Sequence, residues 1–204
     1  MRVQAVIYVV LIMLITSLPV LASNEATNAS TVSPTLQVSV NVVKAIRLTL
    51  TQGSQCTIST GSSPDYTMSF GTVDALGISD ANCGSKYAPA TPGTDPAKYY
   101  SDYQVTPVFT SQSSSTGTVN AYVSTNFSTA SGLLSVVQSN SAPGSSASLT
   151  AMSTSSGSQT SIGSSLANNT AITRYIGVSV APLNGAGTLT GAAAATVTYT
   201  LTAP

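Results

Sequence analysis

The side chains able to do chemistry are few. The chain has 204 residues, no histidine and only six carboxylates: Glu25, Asp65, Asp74, Asp80, Asp95 and Asp102. Without imidazole there is no His-based proton relay and no imidazole metal ligand. Asp74 and Asp80 are near enough in sequence to form a carboxylate pair, but turn residues accepting backbone hydrogen bonds are the ordinary role for both. Serines are abundant, yet none sits in a GxSxG elbow or an SxxK motif, and no glycine-rich phosphate loop follows a strand. An enzyme is not expected, and no catalytic residue, cofactor or metal is assigned. The two cysteines, Cys56 and Cys83, are not in a CxxC and lack partners for a metal site, so in an exported chain they form one disulfide. Tyr87, Tyr99, Tyr100 and Tyr103 cluster, as a platform for stacking on sugar rings or as packing residues. Asn28, Asn126 and Asn168 each head an N-x-S/T sequon, a pattern that chance supplies in a chain so rich in serine and threonine.

Residues 1–22 have the layout of a secretory signal: Arg2, an apolar run from Ala5 to Ile15, Pro19, and the small-residue site ending at Ala22. The apolar run is short for a spanning helix, so no membrane insertion is expected after cleavage. Charged residues make up 6% of the chain and the formal net charge is zero. Such a surface offers nothing to nucleic acid or to an anionic membrane. It suits packing against copies of the same chain, or exposure to a harsh exterior.

The elements that must carry these residues are almost all strands. Residues 35–51, "TLQVSVNVVKAIRLTLT", alternate: Leu36, Val38, Val40, Val42, Ile46, Leu48 and Leu50 share one face. Further candidates are 66–73, 103–110 (with Pro107 suggesting an edge or a bulge), 118–125, 133–139, 174–183 and 194–204. In the last, Val197, Tyr199 and Leu201 share a face opposite the threonines. Between them, 87–96, 111–118 and the serine-rich 139–165 have the composition of turns and low-complexity loops. No helical period is convincing outside the signal. The expected fold is all-β, an antiparallel sandwich.

"QCTIST" at 55–60, "MSFGTVD" at 68–74, Cys83 and "TVTYTLTAP" at 196–204 stand in an order that resembles the chaperone–usher pilins, above all the spore-coat-protein-U-like branch of archaic fimbriae. The resemblance implies an incomplete immunoglobulin-like sandwich that lacks one strand and takes it from a neighbouring subunit. Residues 23–43 would be the N-terminal extension and donor strand, with Leu36, Val38, Val40 and Val42 as the inserted side chains. Residues 44–204 would be the sandwich, with Val197, Tyr199 and Leu201 on the strand bordering the groove. It further implies a homopolymeric extracellular filament for surface attachment or biofilm, delivered by a periplasmic chaperone and an outer-membrane usher. Three features depart from the pattern: Cys83 sits in a turn-like "DANCGS", 139–165 is long and serine-rich, and 35–51 has no obvious hinge beyond the interruption at Val43-Lys44-Ala45. They leave open a more distant relative that also exchanges strands. The absence of LPxTG and of an apolar C-terminal tail disfavours a sortase-linked pilin. Loss of the apolar segment on cleavage disfavours a type IV pilin. A monomeric carbohydrate-binding or adhesive module and a coat or surface-layer protein are the alternatives.

Overall fold

The computed structural model describes residues 37, 39, 45–79, 83–110, 115–127, 132–182 and 192–203. The chain divides into two units, 1–42 and 43–204, and all the strands below belong to the second. Leu36, Val38, Val40 and Val42, residues 1–22 expected as a signal, and Asp80 lie outside the described residues, while Gln37 and Ser39 are exposed.

The fold is all-β, with antiparallel pairing throughout the described strands. Its centrepiece is β5 (Ala97–Phe109), flanked by β1 (Ile46–Gln52) and β4 (Ser85–Tyr87) along one edge and by β10 (Ile172–Val180) along the other. Beyond β10 lie β7 (Leu134–Ser139) and β8 (Thr150–Ala151), which complete the larger sheet. The smaller sheet has β6 (Thr116–Thr125) between β9 (Thr160–Ala167) and β11 (Thr196–Thr202). A separate hairpin joins β2 (Ile58–Thr60) to β3 (Tyr66–Met68).

Period-two alternation accounts for the packing. Every odd position of β5 from Ala97 to Phe109 is buried and every even one half-buried. Tyr99, Tyr103, Val105 and Val180 of the larger sheet meet Val119, Ala121, Ile162 and Leu166 of the smaller in one core. Each buried Val, Ile or Leu among them contributes on the order of 1.5–3 kcal/mol.

Three expectations need correction. Residues 139–165 are not a structureless loop. They carry β8, the start of β9 and a short 3-10 turn at Ser146–Ser148, and they bury Leu149, Met152 and Ile162. Pro107 marks neither an edge strand nor a bulge, since β5 is internal. It lies two residues beyond the last β10 pairing, Ile172↔Val105, where the missing N–H forfeits no ladder bond. Its carbonyl accepts the Asn169 N–H at 2.8 Å. The strand expected over 66–73 ends at Met68.

Where β1 leaves the sheet, side chains replace the ladder. The Asp102 carboxylate accepts from Ser54 N–H at 2.7 Å and Gln55 N–H at 3.2 Å, and Ser101 Oγ accepts from Cys56 N–H at 3.0 Å. Gly53 permits this close approach, because a Cβ there would lie 2.3 Å from Asp102 Cγ. Cys56 and Cys83 are joined by a disulfide with a Cα–Cα distance of 5.0 Å.

Candidate functional site

The sandwich has two long seams where the edges of its sheets face each other, and they differ. At one, the residues that follow β7 and β8 of the larger sheet reach β9 of the smaller. That seam is laced shut. Across it, Asn140 Nδ2 donates to the Ser161 carbonyl at 3.0 Å and Arg174 Nε to the Ile162 carbonyl. Arg174 Nη1 holds the Asn140 (3.2 Å) and Thr173 (2.7 Å) carbonyls on its own side. The segment after β8 crosses between the sheets: Met152 N–H bonds to Val136, and the Ser153 carbonyl accepts from Val123 N–H at 2.8 Å. Leu149 and Met152 are thereby buried at 1% and 5% exposure.

At the other seam β1 and β11 approach each other, each the last strand of its sheet. Among the described residues, no strand pairs with the outer edge of either and no hydrogen bond joins them. Their inward side chains pack against the core but stay half-buried: Leu48 and Leu50 on β1, and Val197, Tyr199 and Leu201 on β11. Thr196, Thr200 and Thr202 are exposed on the opposite face. Deeper in, on β5 and β6, Tyr99, Val105, Val119 and Ala121 are at 0%. The seam is therefore an apolar strip bordered by unpaired strand edge, a surface that invites another strand.

One polar contact spans the sheets near this strip. Tyr199 Oη donates to Tyr103 Oη at 3.1 Å, with the rings edge-on at 6.2 Å. Tyr103 is 1% exposed, so the shared hydroxyl contact lies inside. Burial pushes the Tyr103 phenol up to about 12, against smaller opposing effects of the bond from Tyr199 and the charge of Arg174. Burial also raises Tyr199 well above its ordinary value, helped by the neighbouring phenol.

The remaining candidates separate. The tyrosine cluster does not form one platform, because alternation sends Tyr99 and Tyr103 into the core and Tyr87 and Tyr100 to the outer face of the larger sheet. There Tyr87 and Tyr100 stack on each other at 5.4 Å, and Tyr175 meets Tyr100 edge-on at 6.4 Å. Tyr87 Oη donates to the Pro143 carbonyl at 2.8 Å, and Lys98 Nζ reaches the carbonyls of Ser146 and Leu149, so this face seats the serine-rich segment.

Asp74 organises a turn. Its carboxylate accepts from the N–H groups of Leu76 (2.7 Å), Ile78 (3.2 Å) and Ser79, while its backbone N–H and carbonyl both meet Tyr99 Oη at 3.2 Å. Burial pushes the carboxyl up, but the donors from Ser79, Ile78 and Leu76 together outweigh it and hold it far below the ordinary range.

Asn168, one of the sequons, is committed to the fold. Its amide accepts from Phe109 N–H at 2.9 Å and donates to the Phe109 carbonyl at 2.8 Å, extending the ladder where β10 has stopped. Neither that role nor the lacing by Arg174 was legible in the sequence, because each partner is distant in the chain.

Among the described residues no three His, Cys, Asp or Glu side chains gather as a metal site. A hollow of about 370 Å³ beside Leu133, Leu134 and Pro182 has no charged residue in its lining. The chain matches no protein-family model, no curated protein and no solved structure.

Proposed function

We propose that this chain is a structural subunit of an extracellular filament, assembled when residues 35–43 of one copy enter the β1–β11 seam of the next. One observation carries this reading: that seam is lined by half-buried Leu48, Leu50, Val197, Tyr199 and Leu201 and is unpaired among the described residues, while the opposite seam is bridged by hydrogen bonds from Asn140 and Arg174. The chain upstream of Ile46 supplies an apolar series of matching period in Leu36, Val38, Val40 and Val42. Strand addition would satisfy the free edge with main-chain hydrogen bonds and cover the strip with alternate side chains. Burying the four aliphatic side chains would contribute roughly 6–12 kcal/mol before ordering costs. The contact is head-to-tail and does not close on itself, so it propagates a fibre. In this reading the sandwich is of the incomplete immunoglobulin-like kind, the signal at 1–22 directs export, and the filament stands on the cell surface.

Negative-stain microscopy of the secreted protein is the direct test. Filaments are expected from the intact mature chain, and deletion of residues 23–43 should give monomers whose seam binds a synthetic peptide of 35–43. Polymers from the truncated chain would overturn the proposal. A monomeric sugar-binding module is favoured by one feature, the outer-face tyrosines Tyr87, Tyr100 and Tyr175. Rings stacked on each other present less free face to a sugar, which weighs against it. Glycan binding by a monomeric protein would favour it.

A further inference from the structure

Among the described residues, three large apolar side chains are strongly exposed: Ile46 (55%), Leu76 (50%) and Ile78 (73%). They sit at opposite ends of the sandwich. Ile46 pairs with Phe109, the last residue of β5. Leu76 and Ile78 belong to the Asp74 turn, which is tied to Tyr99 near the first residue of β5. Ten residues of strand separate Tyr99 from Phe109, roughly 33 Å at the usual rise. The flanks between carry no comparable side chain among the described residues.

The Asp74 turn is held firmly for a loop that displays apolar groups. Three N–H groups bond to one carboxylate. Lys86 Nζ donates to the carbonyls of Ile78 (3.1 Å) and Ser79 (3.2 Å). Gly77, at φ +67°, lets the turn lie against Ala88, where a Cβ would come within 2.8 Å of the backbone. A surface ordered in advance loses little conformational freedom on docking.

We infer that Leu76 and Ile78 form a preset knob that docks on a second copy of this chain, at the end of the sandwich marked by Ile46. This rests on the filament reading and adds to it the face through which successive subunits touch. The chain entering β1 arrives at the Ile46 end, so a neighbour that receives residues 35–43 lies at that end. Unlike ends joined by repeated translation give a polar, open contact, whereas a two-fold pair would need the same patch on both copies. The knob orients the subunits that the donated strand tethers.

The test uses the intact mature chain. In the variant Leu76→Ser/Ile78→Ser, Leu76 is half and Ile78 mostly in water, so the fold should be retained, as a urea midpoint checks. The concentration required for assembly should rise about tenfold or more. In a second variant, Ile46→Cys/Ile78→Cys, a short bis-maleimide should link filaments into a ladder of covalent oligomers. The native cysteines, being bridged, do not react. Normal filaments with no ladder, or unchanged assembly of the serine variant, would overturn the knob and leave strand donation standing. A Val38→Asp/Val40→Asp chain that still assembles and still cross-links would overturn strand donation and leave the knob standing. A wild-type chain that forms no filament under any condition sinks both.

Discussion

Titration of the hydrogen-bonded pair Tyr103 and Tyr199 offers a quantitative check on the core behind the open seam. The unperturbed phenol value is 10.0, and Tyr103 in the fold is raised to about 12. A raised folded value means that the unfolded chain loses its proton first. Stability contributed by keeping Tyr103 neutral is therefore complete below pH 10.0 and is lost as pH climbs through about 12. Two units correspond to about 3 kcal/mol, at about 1.4 kcal/mol per unit. Tyr199 shifts in the same direction and shares the hydrogen bond, so the two titrate as a pair. The comparison is between wild type and Tyr103→Phe/Tyr199→Phe, which removes both hydroxyls and leaves neither unpaired. Urea midpoints followed from neutral pH to about 12 should fall more steeply for wild type, by a difference on the order of 3 kcal/mol. Other tyrosines and lysines titrate in both proteins and cancel. Phenolate absorbance should show Tyr103 and Tyr199 ionising only with unfolding. Parallel pH profiles for the two proteins would refute the placement of this pair inside the sandwich.

Other substitutions probe the frame around it. Asn168→Ala removes both amide bonds to Phe109 and should cost about 1–3 kcal/mol by urea denaturation; no change would mean that water replaces them freely. Gly177→Ala would bring a Cβ within 2.1 Å of the Tyr99 carbonyl and 2.9 Å of Tyr100 Cβ, so the variant should be strongly destabilised, and a wild-type melting temperature would contradict the β5–β10 register. Replacing Cys56 and Cys83 by serine opens a link of sequence separation 27 and should cost about 3.5 kcal/mol on the chain-entropy account, read as a shift in urea midpoint.

Much of the strand framework is written in local alternation. The apolar phase of 196–202, and of Leu48 and Leu50 in β1, follows from residue types alone, because a pleated strand has only two faces and the polar threonines mark the outer one. Ile46, expected on the same face, is exposed at the strand's first position. The disulfide pairing also needed only the count of two cysteines and the expectation of export. Other features required the partner strands. Tyr99 and Tyr100 are identical in type and adjacent. Pairing of Val178 with Tyr99 and Gly177 with Tyr100 decides which enters the core and which stacks outside. The serine-rich stretch looks featureless because its apolar residues are sparse, and Leu149, Met152 and Ile162 become core only because two sheets close over them. Pro107 is harmless where β10 has already ended. The open seam is the clearest case. Its residues could be named from the sequence, but their meeting depends on β1 and β11 ending two different sheets on the same side, a juxtaposition of segments some 150 residues apart that no local pattern encodes.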